Sequence, residues 1–465
     1  MKHTAHGYWL EEAGGFELAP ELVGERKADV VVVGGGFTGM WAAWQLMALE
    51  PEARVVLLEG DVCGHGPSGR NGGFCNTMWL SLPNMRGRWG DGAALAVARA
   101  AAAAVGEIGA FCEKQGVDAW FRRAGYLQVS TAPAHDGVWE KAAAACRELG
   151  AIGAIEPLDR AEVATRCASP AFRGGALYPG AATVQPARLA LGLRERLRAV
   201  GVEIYEGSPV EKLADGPSGV EARTPAGVVR AGAAVLAIGP AAKAPRAPLR
   251  NALTVTSSHI VLTEPVPELL EEVGWTGGEC ITDCRTMLHY FRTTPDGRIA
   301  FGLGGGRIAM GGRLRGRVEI DPDVVARAAE RLRAYFPGLE GRRLTHAWGG
   351  PIDVSPTHLP VIVPLPGGRA FAAAGYSGNG VGPSHMVGRT LASLALDRRD
   401  EHTRLAIVDP SPQRVPPEPF HWLGGNAIRR GIMSKEEAEA TGRPPHPLSA
   451  ALAQVPELLG FHIGR

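Results

Sequence analysis

Three glycines spaced Gly34-x-Gly36-x-x-Gly39, followed by an acid at Glu59, form the first set of residues that could do chemistry. That chemistry is the holding of a dinucleotide. Gly34 permits a tight turn, and Gly36 lets a pyrophosphate approach the backbone. Gly39 lets a helix pack close to the preceding strand. Phe37 and Thr38 complete the turn. The phosphates would meet the positive end of the helix dipole, and Glu59 can hydrogen-bond a ribose hydroxyl.

The elements around these residues suit that task. Val30–Val33 is a β-branched strand, an apolar helix follows Gly39, and Val55–Leu58 is a second strand that delivers Glu59. The chain has 465 residues, with 45% hydrophobic and 21% charged, which predicts two to three globular domains. A net charge of +1 calls for no nucleic-acid partner. No apolar run reaches the roughly 20 residues of a membrane span. No signal peptide is evident before Lys27, and the seven cysteines follow no zinc spacing. The expected location is the cytoplasm, with reduced thiols.

Two further glycine-rich segments lack the pattern of regular structure. One is Ser68-Gly69-Arg70-Asn71-Gly72-Gly73, and the other is Gly375-Tyr376-Ser377-Gly378-Asn379-Gly380, just before a helix expected from about Pro383. Long irregular loops in compact domains are usually functional or disordered. Helices are expected over 91–115, 137–149, 186–200 and 324–336, and alternating strands over 257–308. The proline-rich tail after Asp409 is expected to hold one short helix, announced by the capping-box pattern Ser434-x-x-Glu437.

Six segments together resemble one family. They are Tyr8-Trp9, Gly34–Gly39 with Glu59, Ser68–Gly73, Val235–Gly239, Tyr290–Arg298 and Gly375–Gly380. The chain resembles the FAD-dependent amine and D-amino-acid oxidase (DAO) group, which includes glycine and sarcosine oxidases. Within it, the likeness is nearest to the γ-glutamylputrescine oxidoreductase-like branch, and it covers about residues 8–400.

The resemblance implies an α/β fold: a Rossmann-like FAD-binding domain of the GR2 type with an antiparallel β-sheet substrate domain. The implied division is an N-terminal extension over 1–27, and a discontinuous FAD-binding domain over 28–100, 165–250 and 340–400. The substrate domain would take 101–164 and 251–339, and the tail 401–465. The cofactor the resemblance implies is FAD. Ser68, Arg70, Asn71, Gly72 and Gly73 would lie along its ring and pyrophosphate. Val210 resembles the family position whose backbone meets the adenine, and Gly239 the glycine beneath the cofactor. Gly375, Ser377, Gly378, Asn379, Gly380 and Val381 would face the pyrimidine edge of the ring, where donors stabilise developing charge.

The implied reaction moves a hydride from the carbon beside an amine to flavin N5, and the imine hydrolyses. No base is fixed by the sequence. Candidates are Tyr376, His259 and Tyr290, with His289 and His385 behind them. Arg292 or Arg285 could clamp a substrate carboxylate. The stretch Trp348–Asp353 has no cysteine where relatives attach flavin, so the FAD is expected to be non-covalent. Pro356-Thr-His-Leu-Pro360 departs from the Pro-Asp-x-x-Pro of many relatives. Arg298–Phe301 offers no lysine over the flavin, so oxidase and dehydrogenase both stay open.

The expected partner is a small amine or amino acid. A primary or secondary amine is favoured, such as an ω-amino acid or polyamine derivative, with glycine or sarcosine as the alternative. Two alternatives come from other classes. A flavin-dependent hydroxylase shares the first turn but usually carries a later Gly-Asp motif, where this chain has Ala374-Gly-Tyr-Ser-Gly. A non-catalytic flavoprotein subunit is the other.

Overall fold

The computed structural model describes residues 1–3, 6–243 and 247–464. Residues 4, 5, 244–246 and 465, inside the expected ranges 1–27, 165–250 and 401–465, lie outside the described residues.

The strand Gly24–Val33 alternates between two cores. Val30 and Val32 face one, and Val31 and Val33 the other. A strand buried on both faces belongs inside a parallel sheet. Val55–Leu58 pairs parallel on one side, with Glu203–Tyr205 beyond it. Gly227–Leu236 pairs parallel on the other. Ala370–Ala374 continues the sheet in parallel beside the C-terminal end of Gly227–Leu236. The hairpin Lys212–Gly216/Gly219–Arg223 occupies the edge beside the N-terminal half of that strand. Helices Phe37–Leu49, Leu82–Gln115, Pro186–Ala199 and Val381–Ala395 cover one face. Met40, Trp41, Leu46, Val97, Leu193 and Leu391 bury there, each contributing about 1.5–3 kcal/mol.

Among the described residues the second sheet has nine strands and is mostly antiparallel. Its centre runs Leu344–Val354, Thr254–Thr263, Ile299–Leu303 and His289–Thr293. Cys280–Asp283, Tyr126–Val129, Gly175–Tyr178 and Glu156–Leu158 complete one end. Its back face packs on helix Pro322–Tyr335, burying Val324, Leu332, Phe291 and Phe301 in one aromatic-rich core. Its front face turns toward the parallel sheet's cofactor turn.

Four features depart from the sequence expectation. Gly175–Tyr178 and Leu344–Val354 pair in the antiparallel sheet, although the expected division put 165–250 and 340–400 with the cofactor half. The helix expected from residue 91 starts at Leu82 and kinks at Gly90. It is long and apolar enough to cross a membrane by composition, and 44% of its most apolar window is buried in the protein. Among the described residues, the chain after Asp409 holds two α-helices, Phe420–Ala440 and Pro447–Leu458. Ser434 sits inside the first of them and bonds Ser449, so it caps nothing. The N-terminal segment is part of the body. Its helix Gly7–Ala13 buries Trp9 edge-on against Trp348 at 5.8 Å.

Candidate cofactor and substrate site

Two glycines of the first turn are sterically required. Gly34 has φ +108°, and a Cβ there would come 2.4 Å from the Ala237 oxygen. A Cβ on Gly39 would come 1.9 Å from the Gly34 oxygen. Glu59 braces the turn. One carboxylate oxygen accepts the Gly35 N–H at 2.6 Å and the other accepts Asp61 N–H at 2.9 Å. Burial pushes its pKa upward. Ser68 Oγ accepts the Phe37 N–H at 2.8 Å, which ties the second glycine-rich loop to the first. Gly36, the cap residue of the Phe37 helix, has no side chain, so the other first-turn N–H groups stay available to an anion.

The Ser68–Gly73 segment, expected to be irregular, begins in one helical turn over Pro67–Arg70 that Pro67 starts and Asn71 ends, and only the rest is loop. The Asn71 amide donates to the Pro67 and Ser68 carbonyls and accepts from Gly73 N–H at 2.7 Å. Arg70 Nε donates to the Gly66 oxygen at 3.3 Å, and Trp348 Nε1 donates to the Arg70 oxygen at 2.8 Å. Burial lowers the Arg70 pKa.

The late loop is set by Asp353. Its carboxylate accepts the Gly375 N–H, and its backbone oxygen accepts Ser377 N–H at 2.8 Å. Burial raises the Asp353 pKa to about 6. Gly375, Ser377 and Gly378 all have positive φ, of 85°, 54° and 82°. Gly380 caps helix Val381–Ala395, again without a side chain. The Tyr376 hydroxyl lies 2.6 Å from Thr38 Oγ1.

One cavity of about 1150 Å³ joins these loops. Gly34, Gly36, Phe37, Thr38 and Glu59 line it, with Val210 and Gly239. So do Ser68, Arg70, Asn71 and Gly72 from the second loop, and Tyr376, Ser377, Gly378, Gly380 and Val381 from the third. Gly39, Gly73, Gly375 and Asn379 do not line it. The three glycines act by close packing, and the Asn379 amide donates to the Thr77 oxygen instead. The far wall is the front of the antiparallel sheet. Thr254, Thr256, Ser258 and Ile260 alternate into it, opposite Tyr290. Ser258 Oγ donates to the Leu303 oxygen at 3.1 Å, so the Tyr290 hydroxyl donates to Ser258 at 2.7 Å. Gly302 makes room for the Tyr290 ring, since a Cβ there would come 2.0 Å from it.

Tyr290 and Tyr376 reach the cavity; the other catalytic candidates do not. His259 is on the opposite face of its strand from Ser258. Its Nε2 accepts Asp321 N–H at 2.8 Å, and burial lowers its pKa to about 4. His289 likewise faces backward, 2.7 Å from Asp283 and 2.9 Å from the Tyr335 hydroxyl. Arg285 pairs with Asp283 at 3.2 Å. His385 packs on Trp41 and pairs with Glu107 at 3.0 Å. Arg292 points to the front but is sealed beneath the Ser68–Gly73 loop. Its Nη1 donates to the Gly73 oxygen at 3.3 Å and to the Val184 oxygen. It is 3% exposed and does not line the cavity.

Sequence reasoning missed Asp353 and the whole tail contribution. Phe420, His421, Ile428, Arg429, Phe461 and Ile463 all line the cavity. Asp353 lies in the quoted stretch Trp348–Asp353, but only its burial reveals its part.

The cavity's fit to FAD is physical. A helix N-terminus meets it at each of two glycine loops, and a braced acid stands beside the first. Comparison with known proteins agrees. A family model described as FAD dependent oxidoreductase (DAO) matches residues 29–394. Gamma-glutamylputrescine oxidoreductase of Escherichia coli is 28% identical over 407 residues, spanning 84% of this chain and 89% of that protein. The probable oxidoreductase OrdL of Rhizobium meliloti is 28% identical over 397 residues, spanning 82% and 86%. Among solved structures, glycine oxidase of Geobacillus kaustophilus matches with TM-score 0.67 at 21% identity, covering 84% of this chain and 100% of that one. NikD, titled an unusual amino acid oxidase, matches with TM-score 0.65 at 20% identity, covering 84% and 99%.

Proposed function

The chain belongs to the FAD-dependent oxidoreductase family, and from that premise we propose that it oxidises a C–N bond of an amine or amino acid, with FAD held non-covalently. The observation that carries this reading is the shared cavity: two helix N-termini and Glu59 on one side, the Ser258–Tyr290 wall on the other. FAD, when bound, supplies the acceptor for a hydride from the carbon beside nitrogen. The amine nitrogen loses a proton, and water hydrolyses the resulting imine to a carbonyl compound and a free amine or ammonia.

The residues of the chain bind and orient. The N–H groups of Thr38 and Val381, each in the first turn of its own helix, would meet the negative charge of the cofactor. Tyr290, held by Ser258, presents its ring to the substrate side of the cavity. No cysteine lines the cavity among the described residues, which supports non-covalent attachment. The cavity continues past Tyr290 to the tail helices, which favours a substrate longer than glycine. The relative named for γ-glutamylputrescine supports the same class, a primary or secondary amine with an extended chain.

The test is anaerobic mixing of the yellow protein with a panel of amines and amino acids, watching the flavin absorbance. Bleaching by an extended amine is expected. Oxygen uptake and dye reduction are then measured side by side to identify the class of electron acceptor. A flavin that no compound on the panel bleaches would overturn the reading.

A further inference from the structure

Beyond the family match, which ends at residue 394, the chain builds helices Phe420–Ala440 and Pro447–Leu458. They are bonded to the antiparallel sheet, to the loop after Cys280–Asp283 and to the back helix Pro322–Tyr335. His421 Nε2 meets Thr254 Oγ1 at 2.8 Å, the Glu436 carboxylate takes the Thr286 N–H, and Glu437 pairs with Arg331. The pair therefore forms a wall of the cavity.

Three cations line that cavity among the described residues: Arg70, Lys212 and Arg429. Arg70 belongs to the Ser68–Gly73 loop, and Lys212 neighbours Val210. Arg429 stands apart. Its Nε donates to the Gly305 oxygen at 2.6 Å, and no acid among the described residues forms an ion pair with it. The nearby carboxylate, Asp321, is already taken by Arg307 and Arg317. Arg327 adds a second guanidinium close by, and its buried Nε has no hydrogen-bond partner. Burial first, and then these cationic neighbours, lower the Arg429 pKa to about 10, which still leaves it charged at neutral pH. A half-buried cation beside like charges is unfavourable without a counter-charge.

We propose that Arg429 receives a carboxylate at the end of the amine substrate remote from the oxidised carbon, an inference that rests on the proposed C–N oxidation. The planar guanidinium fork matches a carboxylate, and with Nε committed to Gly305 the Nη groups remain for it. The two points are neighbours along the chain. The Ser258–Tyr290 pair is anchored at the oxygen of Leu303, the last residue of its strand, and Arg429 at the oxygen of Gly305 in the stretch that follows. Ser258, Tyr290, Gly305 and Arg429 line one cavity. Met287, Leu288, Ile308 and Ile428 line the same cavity and offer apolar surface to intervening methylenes.

Two measurements on the FAD-loaded protein test this. First, glutarate is titrated while the flavin spectrum is recorded. Glutarate should perturb the wild-type spectrum, and its Kd should rise about 30-fold or more in Arg429→Gln. Absence of glutarate binding to wild type, or equal binding to the variant, overturns the proposal. Second, the ratio of kcat/KM for 5-aminopentanoate to that for pentylamine is compared between enzymes. It should fall about 30-fold or more in Arg429→Gln, and Arg429→Lys should recover only part of it. An unchanged ratio overturns the proposal. If Arg429→Gln fails to retain FAD, Arg429→Lys carries both measurements. If wild type oxidises no amine, the C–N reading fails, while the glutarate titration still decides the role of Arg429.

Discussion

The hydroxyls of Thr38 and Tyr376 meet at 2.6 Å across a separation of 338 residues. Thr38 opens the helix of the first glycine turn, and Tyr376 lies in the last glycine loop. Both line the cavity. Burial lifts the Tyr376 pKa far above the ordinary phenol value, so the hydroxyl stays protonated and the contact persists across the working pH range. Tyr376→Phe should cost about 1 kcal/mol of stability and weaken FAD binding several-fold. Thr38→Val should do the same. Since one contact is being removed twice, the double variant should lose little more than either single one. FAD titration of the four proteins gives the coupling, and strictly additive losses would show that the contact joins nothing.

Asp353 makes a signed pH prediction. Its folded pKa is raised to about 6 from 3.8, chiefly by burial. Below about pH 4 the carboxyl is protonated in both folded and unfolded chains. Between about 4 and 6 the folded chain holds the extra proton, so this group's contribution to stability falls as pH rises through 6. The loss by neutral pH is on the order of 3 kcal/mol. Asp353→Asn keeps an acceptor for the Gly375 N–H and removes the titration. Urea midpoints of variant and wild type should therefore differ more in the variant's favour at about pH 8 than at about pH 4. A difference that does not change with pH would place the Asp353 carboxyl at its ordinary value.

What the sequence disclosed, and what it withheld, follows from how local each constraint is. The Gly34 and Gly39 requirements are steric and act within a few residues, so spacing reveals them. Glu59 is delivered by a strand of fixed length. Which of Ser258 and His259 lines the cavity turns on strand parity, and residue chemistry points to the one that does not: histidine can act as a base, yet His259 faces the back helix. Arg292 shares parity with Tyr290, but only the tertiary approach of Gly73 and Val184 shows that its head is covered. The tail is the clearest case. Its proline-rich start reads as loose chain, while its helices gain their order from contacts such as Glu436 with Thr286 and His421 with Thr254.

Arg292 supplies the last prediction. Its side chain is buried, and no carboxylate pairs with it among the described residues. Burial lowers its pKa to about 10. Its charge is met by carbonyl oxygens of Gly73, Val184 and Thr293, and by the Trp9 ring 5.7 Å away. Gly73 has no room for a side chain, since a Cβ would come 2.4 Å from Arg292 Nη1. The guanidinium thus fixes the end of the Ser68–Gly73 loop, whose start takes the Phe37 N–H through Ser68. Arg292→Met leaves those carbonyls without their donor and should cost about 3 kcal/mol. Arg292→Lys should not restore it, because one ammonium cannot span the carbonyls that Nη1 and Nε reach separately. Both variants should melt at lower temperature and release FAD more readily. If Arg292 instead clamped substrate, Arg292→Met would melt and hold FAD like wild type and raise only KM. Thermal melts, FAD retention and steady-state kinetics on the same preparations separate the two outcomes.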